Sequence, residues 1–167
     1  MIHNVHQREF RATEDQLGAL LDQVAEPGGL WPSRWPPLVL DRPLGVGADG
    51  GHGPIRYQVV DYQPGRRAVF KFQEPTDLDG THTLEVLPGS RPGTAVLRHE
   101  LTGQPRGLGL LNWTLLIRRL HDALLEDLLD RAGHAVGDPP ARPARWSVLV
   151  RMSRGLLGLR ADAKVTD

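Results

Sequence analysis

Apolar residues recur along this chain with two different periods, and the change from one to the other marks out its elements. Residues 2–12 read as extended. Thr13 then offers an N-cap with Gln16 three residues later, the capping-box arrangement, and Leu17, Leu20, Leu21 and Val24 follow at helical spacing until Pro27-Gly28-Gly29 stops the helix. Residues 30–37 carry too much proline for more than a short helical turn. From there the period is two. Leu38–Val46, Ile55–Tyr62, Ala68–Gln73, His82–Leu87 and Ala95–Thr102 are predicted strands, with turns at Pro64-Gly65, Asp79-Gly80, and Pro88-Gly89 with Pro92-Gly93. Connections this short leave no room for helical crossovers, so neighbouring strands should be antiparallel.

The alternation predicts one buried face: Tyr57 and Val59; Ala68, Phe70 and Phe72; His82, Leu84 and Val86; Ala95, Leu97, His99 and Leu101. Lys71, Glu85, Arg98 and Glu100 fall on the other. A long helix is predicted over residues 107–132, with an apolar stripe at Leu110, Trp113, Ile117, Leu120, Leu124 and Leu128. Arg119, Asp122 and Glu126 lie opposite, and Gly133 suits its end. Leu111, Leu115 and Leu129 interrupt the polar side, so a further segment should cover it.

Strand, helix, meander and long C-terminal helix define an α+β helix-grip fold, a curved antiparallel sheet wrapped around the helix. In Trp35-Pro36-Pro37-Leu38, Gly50-Gly51-His52-Gly53-Pro54-Ile55-Arg56-Tyr57, Tyr62-Gln63-Pro64-Gly65-Arg66-Arg67 and Leu120-His121-Asp122-Ala123-Leu124-Leu125-Glu126-Asp127, the chain resembles the SRPBCC (START-like) superfamily. That superfamily includes polyketide cyclases, lipid-transfer domains and plant allergen-type carriers, and the likeness is to its uncharacterised bacterial members. It covers roughly residues 2–135 and implies a ligand cavity between sheet and helix. The expected organisation is a helix-grip domain over 1–137 and a Pro-rich linker with a basic, apolar tail over 138–167.

The 167 residues suffice for one domain with a full core. Absence of cysteine excludes disulfides, thiolate catalysis and thiolate metal sites. The N-terminus lacks the basic start and apolar stretch of a signal peptide, and no apolar run approaches the ~20 residues of a membrane span, so a cytoplasmic protein is expected. A net charge of +0 argues against nucleic-acid binding. The tail beyond 138 is basic, the rest acidic. It is expected to fold back on the body or cover a second subunit in a homodimer, in preference to weak peripheral membrane contact.

Candidate chemistry is sparse. Gly45–Gly50 matches G-x-G-x-x-G, but a strand follows where a dinucleotide site needs a helix. No nucleophile elbow occurs. His82 and His99 share the predicted apolar face, and His121 lies on the apolar arc of the helix. Each can orient a ligand carbonyl or hydroxyl, or move a proton, and each can equally be a hydrogen-bonded core histidine. With them, Tyr57, Phe70, Phe72, Leu84, Leu97, Trp113 and Ile117 are the expected cavity walls. Asp122 projects ~100° from His121 and is not expected to orient it. His52 and Arg56 flank a glycine-rich loop; Arg56 can meet an anionic head group at a cavity mouth, but strand alternation points it outward to solvent. The other histidines are scattered with no H-E-x-x-H spacing, so neither metal nor cofactor is expected. The expected activity is binding of a small hydrophobic or amphipathic ligand of lipid, polyketide or isoprenoid type. The alternative is a polyketide cyclase or dehydratase-like enzyme whose cavity histidines transfer protons, with a rate governed by a group titrating near 6.5.

Overall fold

The computed structural model describes residues 1–107 and 117–156. Its elements are β1 (Ile2–Phe10), α1 (Glu14–Asp22), β2 (Val39–Leu40), β3 (Asp49–His52), β4 (Ile55–Gln63), β5 (Arg67–Phe72), β6 (Leu78–Pro88), β7 (Ala95–Pro105), α2 (Arg118–Ala135) and α3 (Val148–Leu156). The strands form one antiparallel sheet in the order β1-β7-β6-β5-β4-β3-β2. The α+β class is as expected. Of the long helix, α2 accounts for the part from Arg118 onward; Leu110, Trp113 and the rest of 108–116 lie outside the described residues. No helix among the described residues is long and apolar enough to cross a membrane.

The capping box of α1 forms as read. The Thr13 Oγ1 accepts from the Gln16 amide at 3.2 Å, and the Thr13 amide donates to Gln16 Oε1 at 2.9 Å. Leu17 and Leu21 are fully buried beneath it, in a core shared with Phe10, Tyr57, Val59, Phe70, Leu84, Val86 and Leu97. The alternation on β4–β7 thus sorts the faces correctly.

Several boundaries differ, each for a local reason. The strand expected over Leu38–Val46 is only Val39–Leu40, because the chain turns through residues 41–48 and returns as β3. Asp79-Gly80 is no turn but part of β6. A Cβ on Gly80 would lie 2.1 Å from the Thr102 carbonyl oxygen, so the glycine permits close strand approach. Gly133 is likewise inside α2, buried against Phe10, where a Cβ would lie 2.7 Å from the Asp138 oxygen. The helix stops later, and the left-handed residue after it is Gly137 at φ 76°.

Two further corrections concern what surrounds α2. Leu129 belongs to the main core, 2% exposed. The stripe residues Leu120 and Leu124 instead pack with Trp35 and Val150 of α3. The tail therefore folds back, but on this patch rather than on Leu129. Trp146 joins it, edge-on to Trp35 at 5.6 Å between centroids, with the Arg34 and Arg154 guanidinium groups each 3.9 Å from its ring centre. Both indole N–H groups donate to one carboxylate oxygen, Asp127 Oδ2, at 2.7 and 2.9 Å. Arg131, four residues on, does not meet Asp127 but donates to the Gly28 and Gly29 carbonyls.

Deleting residues 139–167 uncovers Trp35, Leu120 and Leu124. We expect a loss of about 3 kcal/mol, read as a melting-temperature drop of roughly 6–12 °C or as self-association in light scattering. A truncated protein unchanged in melting and mass would contradict the docking.

Candidate functional site

Rings and imidazoles converge on the inner face of the sheet. Register places His82 beside Phe70 and Leu101, and His99 beside Leu84 and His6. His82 stacks on Phe70 (4.7 Å between centroids, 11° between planes) and meets Tyr57 edge-on at 4.8 Å, Phe72 at 5.3 Å and His99 at 5.3 Å. His99 in turn contacts His121 of α2 at 5.1 Å. Six of the expected residues, Tyr57, Phe70, Phe72, His82, His99 and His121, are therefore in one continuous cluster. Leu84 and Leu97 are solid core beside it. Ile117 stands at the start of α2 and is 37% exposed, apart from the cluster, and Trp113 lies outside the described residues.

The sequence carries no signal for the direction of His52. It is turned inward, 4.8 Å from the Trp31 ring and 6.1 Å from Tyr57. Arg56 folds over the loop, donating to the Gly53 and Ile55 carbonyls at 2.8 Å each.

Burial dominates the electrostatics. It pushes His52 down to about 3 and holds His82 and His99 well below 6.5. It lowers His121 as well, against the opposing pull of Asp122. These imidazoles are neutral at pH 7. Tyr57 is pushed up for the same reason and keeps its proton. His82 Nδ1 and His99 Nε2 are 3.2 Å apart, so one donates to the other. Whichever does, the outer nitrogens, His82 Nε2 and His99 Nδ1, are then one donor and one acceptor. Both are buried without a hydrogen-bond partner among the described residues, as is the Tyr57 hydroxyl.

A second polar array lies behind His121. The residues of β1 that face α2 are Asn4, His6 and Arg8, and they meet Asp122, Glu126 and Asp130. Asn4 Nδ2 donates to Asp122 Oδ1 at 3.0 Å; His6 bridges Asp122 (Nε2, 2.9 Å) and Glu126 (Nδ1, 2.9 Å); Arg8 bridges Glu126 (2.9 Å) and Asp130 (2.7 Å). The Asp122 hydrogen bond, the largest influence, raises His6 above its ordinary value despite burial. Burial works to raise Asp122, but His121, His6 and Asn4 together hold it well below the usual carboxylate range. The acids expected on a solvent face are thus a packed interface, and Asp122 Oδ1 is 4.0 Å from His121 Nδ1, close enough to influence it. The signal was present in the sequence: polar residues at i, i+2, i+4 between apolar Ile2 and Phe10, and acids at i, i+4, i+8 on a helix.

No protein-family model and no curated protein matches this sequence. Solved structures do match its fold. XoxI of Bacillus cereus superposes with TM-score 0.62 at 16% identity, covering 83% of this chain and 97% of that one. Norcoclaurine synthase from Thalictrum flavum, in complex with dopamine and hydroxybenzaldehyde, gives 0.60 at 14%, covering 84% and 90%. CalU16 from Micromonospora echinospora gives 0.57 at 15%, covering 93% and 83%. The architecture, a curved seven-stranded antiparallel sheet with a C-terminal helix, is that of the helix-grip class.

Removing Arg8 leaves Asp130 without its cation and Glu126 with His6 alone. Arg8→Ala should cost about 2 kcal/mol in denaturant unfolding, below the figure for a fully buried pair because Glu126 is 41% exposed. Arg8→Lys should recover only part, since an ammonium does not span both acids as a guanidinium fork does. Equal stability of all three proteins would show that the ladder contributes nothing.

Stability should also fall on acidification. The unfolded chain takes up a proton on His52 below 6.5 whereas the folded chain resists until about 3, so stability is lost as pH falls through that window. His6 acts oppositely: its stabilisation is complete below 6.5 and lost as pH rises through its raised value. The lowered Asp122 adds stability that is lost below 3.8. Four depressed imidazoles outweigh one raised, so melting temperature should drop from pH 7 to 5. His52→Phe should flatten that limb by at most ~1.4 kcal/mol per pH unit. An unchanged slope in this variant would mean that His52 takes up its proton in the fold.

Proposed function

We propose that the protein binds a small hydrophobic or amphipathic molecule, of lipid, polyketide or isoprenoid type, against the inner face of the sheet beneath α2. The observation that carries this reading is the trio of partnerless buried polar atoms, Tyr57 Oη, His82 Nε2 and His99 Nδ1, set among Phe70, Phe72, Leu84 and Leu97. Each such atom costs about 1–3 kcal/mol if nothing satisfies it. A ligand hydroxyl or carbonyl relieves that cost while apolar walls supply about 25 cal/mol per Å² buried. A fold neighbour solved with dopamine and hydroxybenzaldehyde supports the reading by analogy only.

One observation favours a second reading, a polyketide cyclase or dehydratase-like enzyme. The hydrogen-bonded His82–His99 pair can accept a proton at one outer nitrogen and release one at the other by exchanging tautomers, with no charge left in the apolar interior. The group expected to titrate near 6.5 is not this pair, because burial keeps both below that value. A reaction run by them should hold a plateau through neutral pH and fall off only in acid.

Native mass spectrometry of freshly purified protein should reveal a co-purifying apolar ligand. With 2-naphthol and naphthalene as probes, the hydroxylated one should bind roughly tenfold tighter, the worth of about one hydrogen bond. Tyr57→Phe and His82→Phe should erase the difference. No retained ligand together with equal affinity for both probes would end the binding reading. Loss of turnover in His82→Gln or His99→Gln with ligand binding intact would decide for the enzyme.

A further inference from the structure

We propose that His6, His121 and Asp122 form a binding site for a divalent transition-metal ion of the zinc type, with Glu126 as the outer carboxylate that orients His6. It goes beyond the ligand reading and does not rest on it. The sequence reading expected no metal because the donors are split between the first strand and the last large helix.

Three geometric facts carry the inference. The donor atoms lie within 4.8 Å of one another, with His6 Nε2 2.9 Å and His121 Nδ1 4.0 Å from Asp122 Oδ1. Ligands bound to zinc at about 2.0–2.2 Å stand ~3.3 Å apart at tetrahedral angles. An ion would therefore replace the hydrogen between Nε2 and Oδ1 after side-chain shifts of about 1 Å. Secondly, the other nitrogen of His6 is engaged as metal-bound imidazoles usually are: Nδ1 lies 2.9 Å from Glu126 Oε1, a carboxylate–histidine–metal arrangement. Thirdly, Asn4 holds Asp122 through Nδ2 while its own Oδ1 is buried without a hydrogen-bond partner among the described residues, with the residue only 9% exposed. Turning that amide over gives up the bond to Asp122 and presents an oxygen to a bound ion in its place.

Donor chemistry sets the metal. Two imidazoles with a carboxylate suit zinc and its first-row neighbours, whereas calcium and magnesium take oxygen shells. Three protein ligands also match sites that keep one coordination position open. Asp122 and Glu126 line a groove of about 480 Å³ between α2 and the segment leading into α3, with Arg119, Ala123, Ala144 and Trp146, so the two carboxylates face open space.

The competing account is a plain His6–Asp122 ion pair, and metal titration separates the two. Full-length, tag-free protein stripped with chelator should bind about one equivalent of zinc chloride by calorimetry. Cobalt chloride should give the visible bands of a four- or five-coordinate ion. His6→Ala and Asp122→Asn should each weaken zinc by more than ~10-fold, and Glu126→Gln by ~10–100-fold. The exposed His134→Ala should change nothing. His121→Gln should lose cobalt absorption; should it fail to fold, the His6 and Asp122 variants still decide. No stoichiometric zinc, or zinc held equally by His6→Ala and Asp122→Asn, overturns the site and leaves the ion pair alone.

Discussion

The fit between β1 and α2 is the constraint on which the arrangement around the site depends. Two residues along a strand advance about 6.6–6.8 Å, and four along a helix about 6.0 Å. Asn4, His6 and Arg8 therefore keep step with Asp122, Glu126 and Asp130 over three rungs. Once those acids face β1, the rotation of the helix is set. His121, one residue before Asp122 and ~100° around, must then turn to His99. Leu120 and Leu124 must turn away from the sheet, where Trp35, Trp146 and α3 cover them.

The ladder also explains how so many polar groups are tolerated near the core. Buried charge is costly unless paired, and every ionic group on this seam meets a partner of opposite sign. The imidazoles deeper in follow the other route, giving up their charge. A neutral histidine still carries one donor and one acceptor. The cluster thus offers directional polarity inside an apolar wall without a desolvated charge, which suits recognition of an uncharged hydroxyl or carbonyl.

The sheet was legible because period-two alternation reports directly on burial, and it sorted nearly every residue of β4 to β7 onto the right face. Tyr57, Phe70, Phe72, His82 and His99 came together for that reason. Helix rotation was harder. An apolar stripe on α2 was read as the sheet-facing side, yet Leu120 and Leu124 are apolar because a second layer covers them. Hydrophobicity reports that a residue is covered but not by what. The acids misled in the opposite sense: carboxylates on a helix usually mean solvent, and only the matching polar run in β1 betrays an interface. Nothing in the sequence orients His52, because glycine-rich loops carry no period from which to infer direction.

Asp127 shows how finely one helix sorts its carboxylates. Its neighbours at 122, 126 and 130 meet cations or imidazoles on β1. Asp127 points the other way and accepts two indole N–H groups, and burial raises it against those bonds. A half-buried carboxylate held by neutral donors leaves its negative charge uncompensated at contact distance. The guanidinium groups of Arg34 and Arg154, stacked on the same Trp146 ring, supply the balancing charge one layer out. The basic character of the tail then has a local meaning. Its Arg154 joins Arg34 of the body in balancing that carboxylate, and the indoles are the neutral spacer between the charges.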